Sequence, residues 1–149
     1  MKKNEQTTPR GIRNNNPLNI RRTSTQWEGL HPVQADREFC QFIDMKYGYR
    51  AAFRLLMKYY RKYGLHNVQA IINRWAPPNE NNSRAYANYV ATMCVTRVDR
   101  ILPSPLQDAT LWQKIVHAMA EYENGVCVDW KPIQEGYMLV QGGKPLAKV

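Results

Sequence analysis

The sequence predicts a mainly α, α+β domain, and three observations carry that expectation. Four segments repeat their apolar residues at helical spacing. The N-terminal third is instead broken by turn-formers: Pro9–Arg10–Gly11, Asn14–Asn15–Asn16–Pro17, Glu28–Gly29 and His31–Pro32. These leave room only for short strands. The 149 residues show no internal repeat and no linker, which suits a single core.

In chain order, residues 1–10 read as a flexible polar arm. Short strands are expected at 19–22 and 38–42, with a small hairpin-like excursion between them. A helix is expected over 49–63, with Ala52, Leu55, Leu56 and Tyr59 on one face and Gly64 placed to end it. Lys46, Arg50, Arg54 and Lys58 lie four apart and share the other face. This basic stripe reads as a solvated face, with a polyanion-facing surface as the alternative. A second helix over 67–75 turns Val68, Ile71, Ile72 and Trp75 inward and stops at Pro77–Pro78. A third starts after Ser83 as N-cap and carries Tyr86, Tyr89, Val90 and Met93. The fourth is capped by Asp108, striped by Leu111, Trp112, Ile115, Val116 and Met119, and ended by Gly125. Residues 126–149 form a weakly patterned C-terminal extension, packed on the domain or trailing it. One strand is expected there near 137–140, with a turn at Gly142–Gly143.

The formal net charge of +9 draws the chain to polyanions: nucleic acid, anionic lipid or wall polymers. No segment is long and apolar enough to span a bilayer. Lys2 and Lys3 are followed by polar residues, so no signal peptide is read; synthesis in the cytoplasm and delivery by other means are expected. Cys40, Cys94 and Cys127 are odd in number and widely spaced, so they read as reduced and mostly buried. The alternative is a catalytic thiol paired in space with His31, His66 or His117. The sequence implies no metal and no cofactor, and a monomer is expected.

Two features carry candidate chemistry. Leu111, Ile115, Met119 and Glu123 lie four apart, so Glu123 falls on the inward stripe of the last predicted helix, while Glu121 falls outward with His117. Burial raises a carboxyl pKa, as a general acid in glycoside cleavage requires. A last-turn glutamate reaching water is the plainer reading. The second feature is the Asn14–Asn16 run before Pro17. Asparagine accepts left-handed backbone and bonds locally, so a structural turn is the plain reading. Its amides also suit sugar hydroxyl and acetamide groups. Trp27 is a sugar-stacking ring or a core residue. Asp36 and Glu38 are water-positioning bases or partners of nearby arginines.

The chain resembles a family of phage and prophage proteins described as structural proteins or lysins. The likeness lies in Gly11–Ile12–Arg13–Asn14–Asn15–Asn16–Pro17, Asn19–Ile20–Arg21, Trp27 and Gly29. It continues through Asp36, Phe39, Phe42, Gly48–Tyr49–Arg50–Ala51, Arg74–Trp75–Ala76–Pro77, Glu80–Asn81, Tyr86 and Glu123–Asn124–Gly125. Leu18 and Cys94 stand where that family has glycine. A weaker likeness runs to cell-wall glucosaminidases and lysozymes, in which a helix ending in a catalytic glutamate precedes an Asn loop, a strand and a Trp–x–Gly. Here that helix comes last. The resemblance therefore implies a lysozyme-like domain over residues 11–125, circularly permuted, with Glu123 returning in space beside the Asn loop.

The expected function is a peptidoglycan glycosidase: a muramidase, glucosaminidase or lytic transglycosylase. Glu123 is the expected general acid, with Asp36 or Glu38 as a second carboxylate. Asn14, Asn16, Asn19, Trp27 and Tyr86 are expected to line the sugar groove. Peptidoglycan strands and anionic wall polymers are the expected partners, at the cell wall or in a virion after delivery. The alternative is a non-catalytic virion or wall-binding protein on a lysozyme-like frame. Nucleic-acid binding, from the charge and the aromatic 59–63 stretch, has no recognised motif behind it.

Overall fold

The computed structural model describes residues 8–79 and 81–140. The arm up to residue 7, Glu80 and the Gly142–Gly143 turn lie outside the described residues. The fold is mainly helical. It comprises α1 (Arg10–Arg13), α2 (Met45–Arg61), α3 (Val68–Trp75), α4 (Ser83–Met93), α5 (Ala109–Asn124) and α6 (Trp130–Val140).

Local side-chain bonds set where the helices begin. Asp44, Asn67, Asn82 and Asp108 each accept a backbone N–H from the first turn of the helix they precede. The α4 cap is thus Asn82, one residue before the expected Ser83, which is instead buried as the first helical residue. Helix α2 begins four residues before the expected 49, because Asp44 caps it despite the helix-weakening Gly48 in its first turn. A Cβ at Gly48 would collide with the Asn15 carbonyl oxygen, so that glycine lets the Asn loop rest on α2. Gly64 and Gly125 both adopt positive φ, at 66° and 69°, just after α2 and α5 end.

The core forms where α2, α3, α4, α5 and α6 meet. Tyr49, Phe53 and Leu56 of α2 are buried with Ile71 and Ile72 of α3 and Val90 of α4. Trp112, Ile115 and Met119 of α5 complete it with Ile133 and Tyr137 of α6. The Phe53 and Tyr137 rings meet edge to face at 5.2 Å. Met93, placed on the apolar pattern of the third expected helix, is 50% exposed as the last residue of α4. Leu55 and Tyr59 are only half-buried, because the core face of α2 is centred one position away, on Phe53 and Leu56.

The strand expected near 137–140 is instead the second half of α6. Its apolar residues Ile133, Gly136, Tyr137 and Val140 follow helical spacing. Gly136 weakens that pattern in sequence, yet it is what lets α6 pack on α2. A Cβ there would stand 2.6 Å from Tyr49 Cβ and 2.9 Å from the Lys46 carbonyl oxygen. The small β element is limited, among the described residues, to isolated antiparallel bridges pairing Arg21 with Phe39 and Leu30 with Phe42. No described helix is long and apolar enough to cross a membrane. Cys40 is buried, Cys94 half-buried and Cys127 exposed; all three are free thiols.

Candidate active site

The Asn run is a brace built from its own amides. Asn15 and Asn19 adopt positive φ, at 53° and 54°, the left-handed backbone that asparagine tolerates. Asn16 is fully buried. Its Nδ2 donates to the Ile20 and Cys40 carbonyls, at 3.0 and 2.9 Å, and its Oδ1 accepts the Ile20 N–H. Asn14 donates to Asp36 at 3.0 Å and accepts from Gln41. Asn15 donates to the Phe42 carbonyl. Asn14 and Asn16 therefore tie the loop to the 36–42 segment and do not line a groove. Leu18, where the resembling family has glycine, does not adopt positive φ, and its side chain fills the core at 1% exposure.

The end of α5 lies against this loop. Asn124 Nδ2 donates to the Pro17 carbonyl at 2.8 Å, and Asn19 Nδ2 donates to Glu123 Oε1 at 2.9 Å. Tyr86 of α4 donates its hydroxyl to the other carboxyl oxygen, Oε2, at 2.9 Å. Tyr86 is itself buried and stacked on Tyr122 at 4.2 Å, so it meets the carboxylate rather than the cleft. Burial raises the Glu123 pKa above the usual carboxyl value, and the hydrogen bonds from Asn19 and Tyr86 offset part of that rise. Burial, and then the nearby Glu123 charge, hold the Tyr86 hydroxyl well above its ordinary value.

Glu123 reaches a cleft of about 510 Å³. One wall is the irregular segment carrying Asn19, Arg21 and Trp27; the other carries Lys58 and Tyr59 of α2, Trp75 of α3 and Asn81. Trp75 Nε1 donates to the Leu18 carbonyl at 3.2 Å, and Tyr59 meets the Trp75 ring edge-on at 5.9 Å, so this aromatic wall is held in place. Of the residues singled out in the sequence, Glu123, Asn19 and Trp27 meet at the cleft. Lys58, Tyr59, Trp75 and Asn81 were not singled out for a sugar site; Lys58 was read only in the basic stripe and Tyr59 only on a core face and in the aromatic 59–63 stretch. Tyr59 and Trp75 show helical periodicity, which marks a core face and an exposed cleft wall alike.

Asp36 and Glu38 stand elsewhere. Asp36 takes a two-pronged ion pair from Arg10, with both oxygens at 2.7 Å, and also accepts the Glu38 and Phe39 backbone N–H groups. The Arg10 guanidinium holds its carboxyl far below the usual range, with those N–H groups and Asn14 assisting. Glu38 pairs with Arg10 at 3.0 Å and with Arg21 at 3.8 Å. Glu123 is the one carboxylate lining the cleft among the described residues. Burial pushes the Cys40 thiol up and the Cys94 thiol to about 11, the reverse of what a nucleophilic cysteine needs.

Fold and site together define a small, basic, mainly helical domain with a buried glutamate opening onto an aromatic-walled cleft. The chain is 43% identical over 119 residues to Protein P5 of Pseudoalteromonas phage PM2, a match covering 78% of this chain and 71% of that protein. It belongs to the phage protein family that includes P5. No family model matches it.

Proposed function

We propose that this phage-family protein is a peptidoglycan-cleaving glycosidase of lysin type, with Glu123 as its general acid, on a circularly permuted lysozyme-like frame. The observation that carries this reading is the Glu123 carboxyl: desolvated, raised in pKa, and at the edge of a cleft of ligand size beside the Asn loop. The helix carrying Glu123 in its last turn follows that loop by about a hundred residues in sequence, yet the Asn19–Glu123 and Asn124–Pro17 bonds join them. That is the adjacency a permuted arrangement needs.

In the proposed reaction, Glu123 gives its proton to the leaving glycosidic oxygen as the bond to the anomeric carbon breaks. Trp27 and Trp75 are the aromatic residues proposed to stack on sugars, and Arg21, Lys58 and Asn81 the donors for hydroxyl and acetamide oxygens. Of the three reactions expected, a lytic transglycosylase fits a single carboxyl best. The Glu123 carboxylate left after the first step takes the proton of the sugar's own hydroxyl as that oxygen attacks the anomeric carbon. The acid is regenerated and no water is consumed.

Clearing of purified peptidoglycan by the wild-type protein, beside Glu123→Gln, tests the reading. Activity in the wild type and a loss of about 10²-fold or more in the variant is expected. Product strands one water lighter than hydrolysed ends would identify the transglycosylase. Full activity in the variant would remove Glu123 from the chemistry.

A second reading keeps the frame without catalysis, as a virion or wall-binding protein. It is favoured by the two donors on Glu123, one for each oxygen, which also describe a carboxylate held for structure. Wall binding without clearing by either protein would establish it.

A further inference from the structure

A second groove, of about 630 Å³, runs along the outer face of α2. It shares Thr25, Trp27, Leu55 and Lys58 with the cleft, so the two are continuous. Its cations are Arg54, Lys58, Arg61 and Lys62, all exposed, and no carboxylate lines it. Arg54, Lys58 and Lys62 lie four apart and Arg61 three beyond Lys58, spacings at which like charges repel along a helix. Among the described residues none of them pairs with a carboxylate; Glu28, near in sequence to Trp27, is taken by Arg50 at 3.2 Å. Lys58 and Arg61 in the last turn and Lys62 at the C-cap gain from the helix dipole, but Arg54 lies too far from that end to share it, and an anionic ligand beside the cleft would engage all four.

We infer that this groove is a subsite for the carboxylate-bearing peptide stem carried by the glycan strand whose sugars occupy the cleft. The inference rests on the glycan-cleaving reading. Continuity through Trp27 favours a substituent hanging from a sugar in the cleft over a separate polymer. The apolar groups of Leu55 and Met57 lie among the cations, which suits a peptide alternating alkyl groups with carboxylates better than a phosphate backbone. Along α2, residues 54 to 62 span roughly 12 Å, about the reach of four extended residues.

The test measures binding of soluble glycan strands, with peptide stems and with stems removed by an amidase. It uses the Glu123→Gln protein and the same protein carrying Arg54→Gln, Arg61→Gln and Lys62→Gln. The first should bind stem-bearing strands roughly tenfold more tightly than stripped ones. The triple change should erase that preference, leave stripped-strand binding unchanged, and leave the melting transition intact, since all three side chains are exposed. High salt should erase the preference likewise. Equal binding of both strands by the first protein, or an equal loss on both in the second, overturns the inference. Tighter binding of duplex DNA than of stem-bearing strands overturns it in favour of nucleic acid. A cation-dependent preference for stem-bearing strands, with no affinity at all for stripped ones, supports the groove while sinking the sugar cleft.

Discussion

Asn19 donates a 2.9 Å hydrogen bond to Glu123 across 104 residues of sequence. The bond holds the carboxyl group and also sets its acidity. A donor to a carboxylate favours the charged form, so Asn19 and Tyr86 both restrain a pKa that burial raises.

Removing either donor should therefore raise the Glu123 pKa further. Tyr86→Phe and Asn19→Gly are the suitable variants, since glycine retains the positive φ of residue 19. If Glu123 works as the protonated acid, the alkaline limb of the pH–rate profile moves to higher pH in both. An unmoved limb would mean that another group limits the rate there.

Glu123→Gln should stabilise the fold at neutral pH. A carboxyl whose folded pKa lies above its unfolded value favours the folded state fully at low pH, and loses that contribution as pH rises through the folded pKa. Glutamine carries no charge to desolvate. The variant should match wild type below about pH 4 and melt at a higher temperature as pH increases. A lower melting temperature at pH 7 would contradict this account.

Asp36 has the opposite sign. Its folded pKa is depressed, so its contribution is present above the unfolded value of about 3.9 and is lost as pH falls toward the folded one. Asp36→Asn should cost about 1–3 kcal/mol, read by urea unfolding at pH 7, because the Glu38 and Phe39 N–H groups lose a charged acceptor. Wall clearing at a temperature where the variant is folded should remain near wild type. Abolished clearing there would restore Asp36 as a second catalytic carboxylate.

Gly136→Ala should separate α6 from α2. Its Cβ would meet backbone as well as Tyr49, so relief requires helix movement. A loss of about 1–3 kcal/mol is expected in the same unfolding measurement. An unchanged midpoint would mean that α6 can shift away from α2 at no cost.

Val95 follows α4 at φ 53°, a left-handed conformation poorly suited to a β-branched residue, and it is 90% exposed. Val95→Gly should relieve about 1 kcal/mol of strain and raise the melting temperature. A lowered one would show that the Val95 side chain makes a contribution its exposure hides.

The helices were legible where caps and stripes agreed. Asp108, the Leu111–Met119 stripe and Gly125 bound α5 within a few residues of sequence, and the same spacing turned Glu123 inward. Helix α6 was obscured because Gly136 argues against a helix locally while serving a contact with α2. Asn14 and Asn16 offered the same amides for sugar or for the protein itself; burial against the 36–42 segment gives the Asn16 amide to backbone and the Asn14 amide to the Asp36 and Gln41 side chains. Asp36 and Glu38 looked like candidates by type alone, and Arg10, 26 residues from Asp36, engages both.

By itself the sequence determined the mainly helical character, the Asp108 cap, the left-handed Asn turn and the inward register of Glu123. Each depends on residues within about a turn of one another, where propensity and periodicity act. Only the tertiary structure decided which donors hold Glu123, which aromatic rings wall its cleft, and where the basic row of α2 opens. Those contacts join segments dozens to a hundred residues apart, and packing, rather than local backbone preference, selects them.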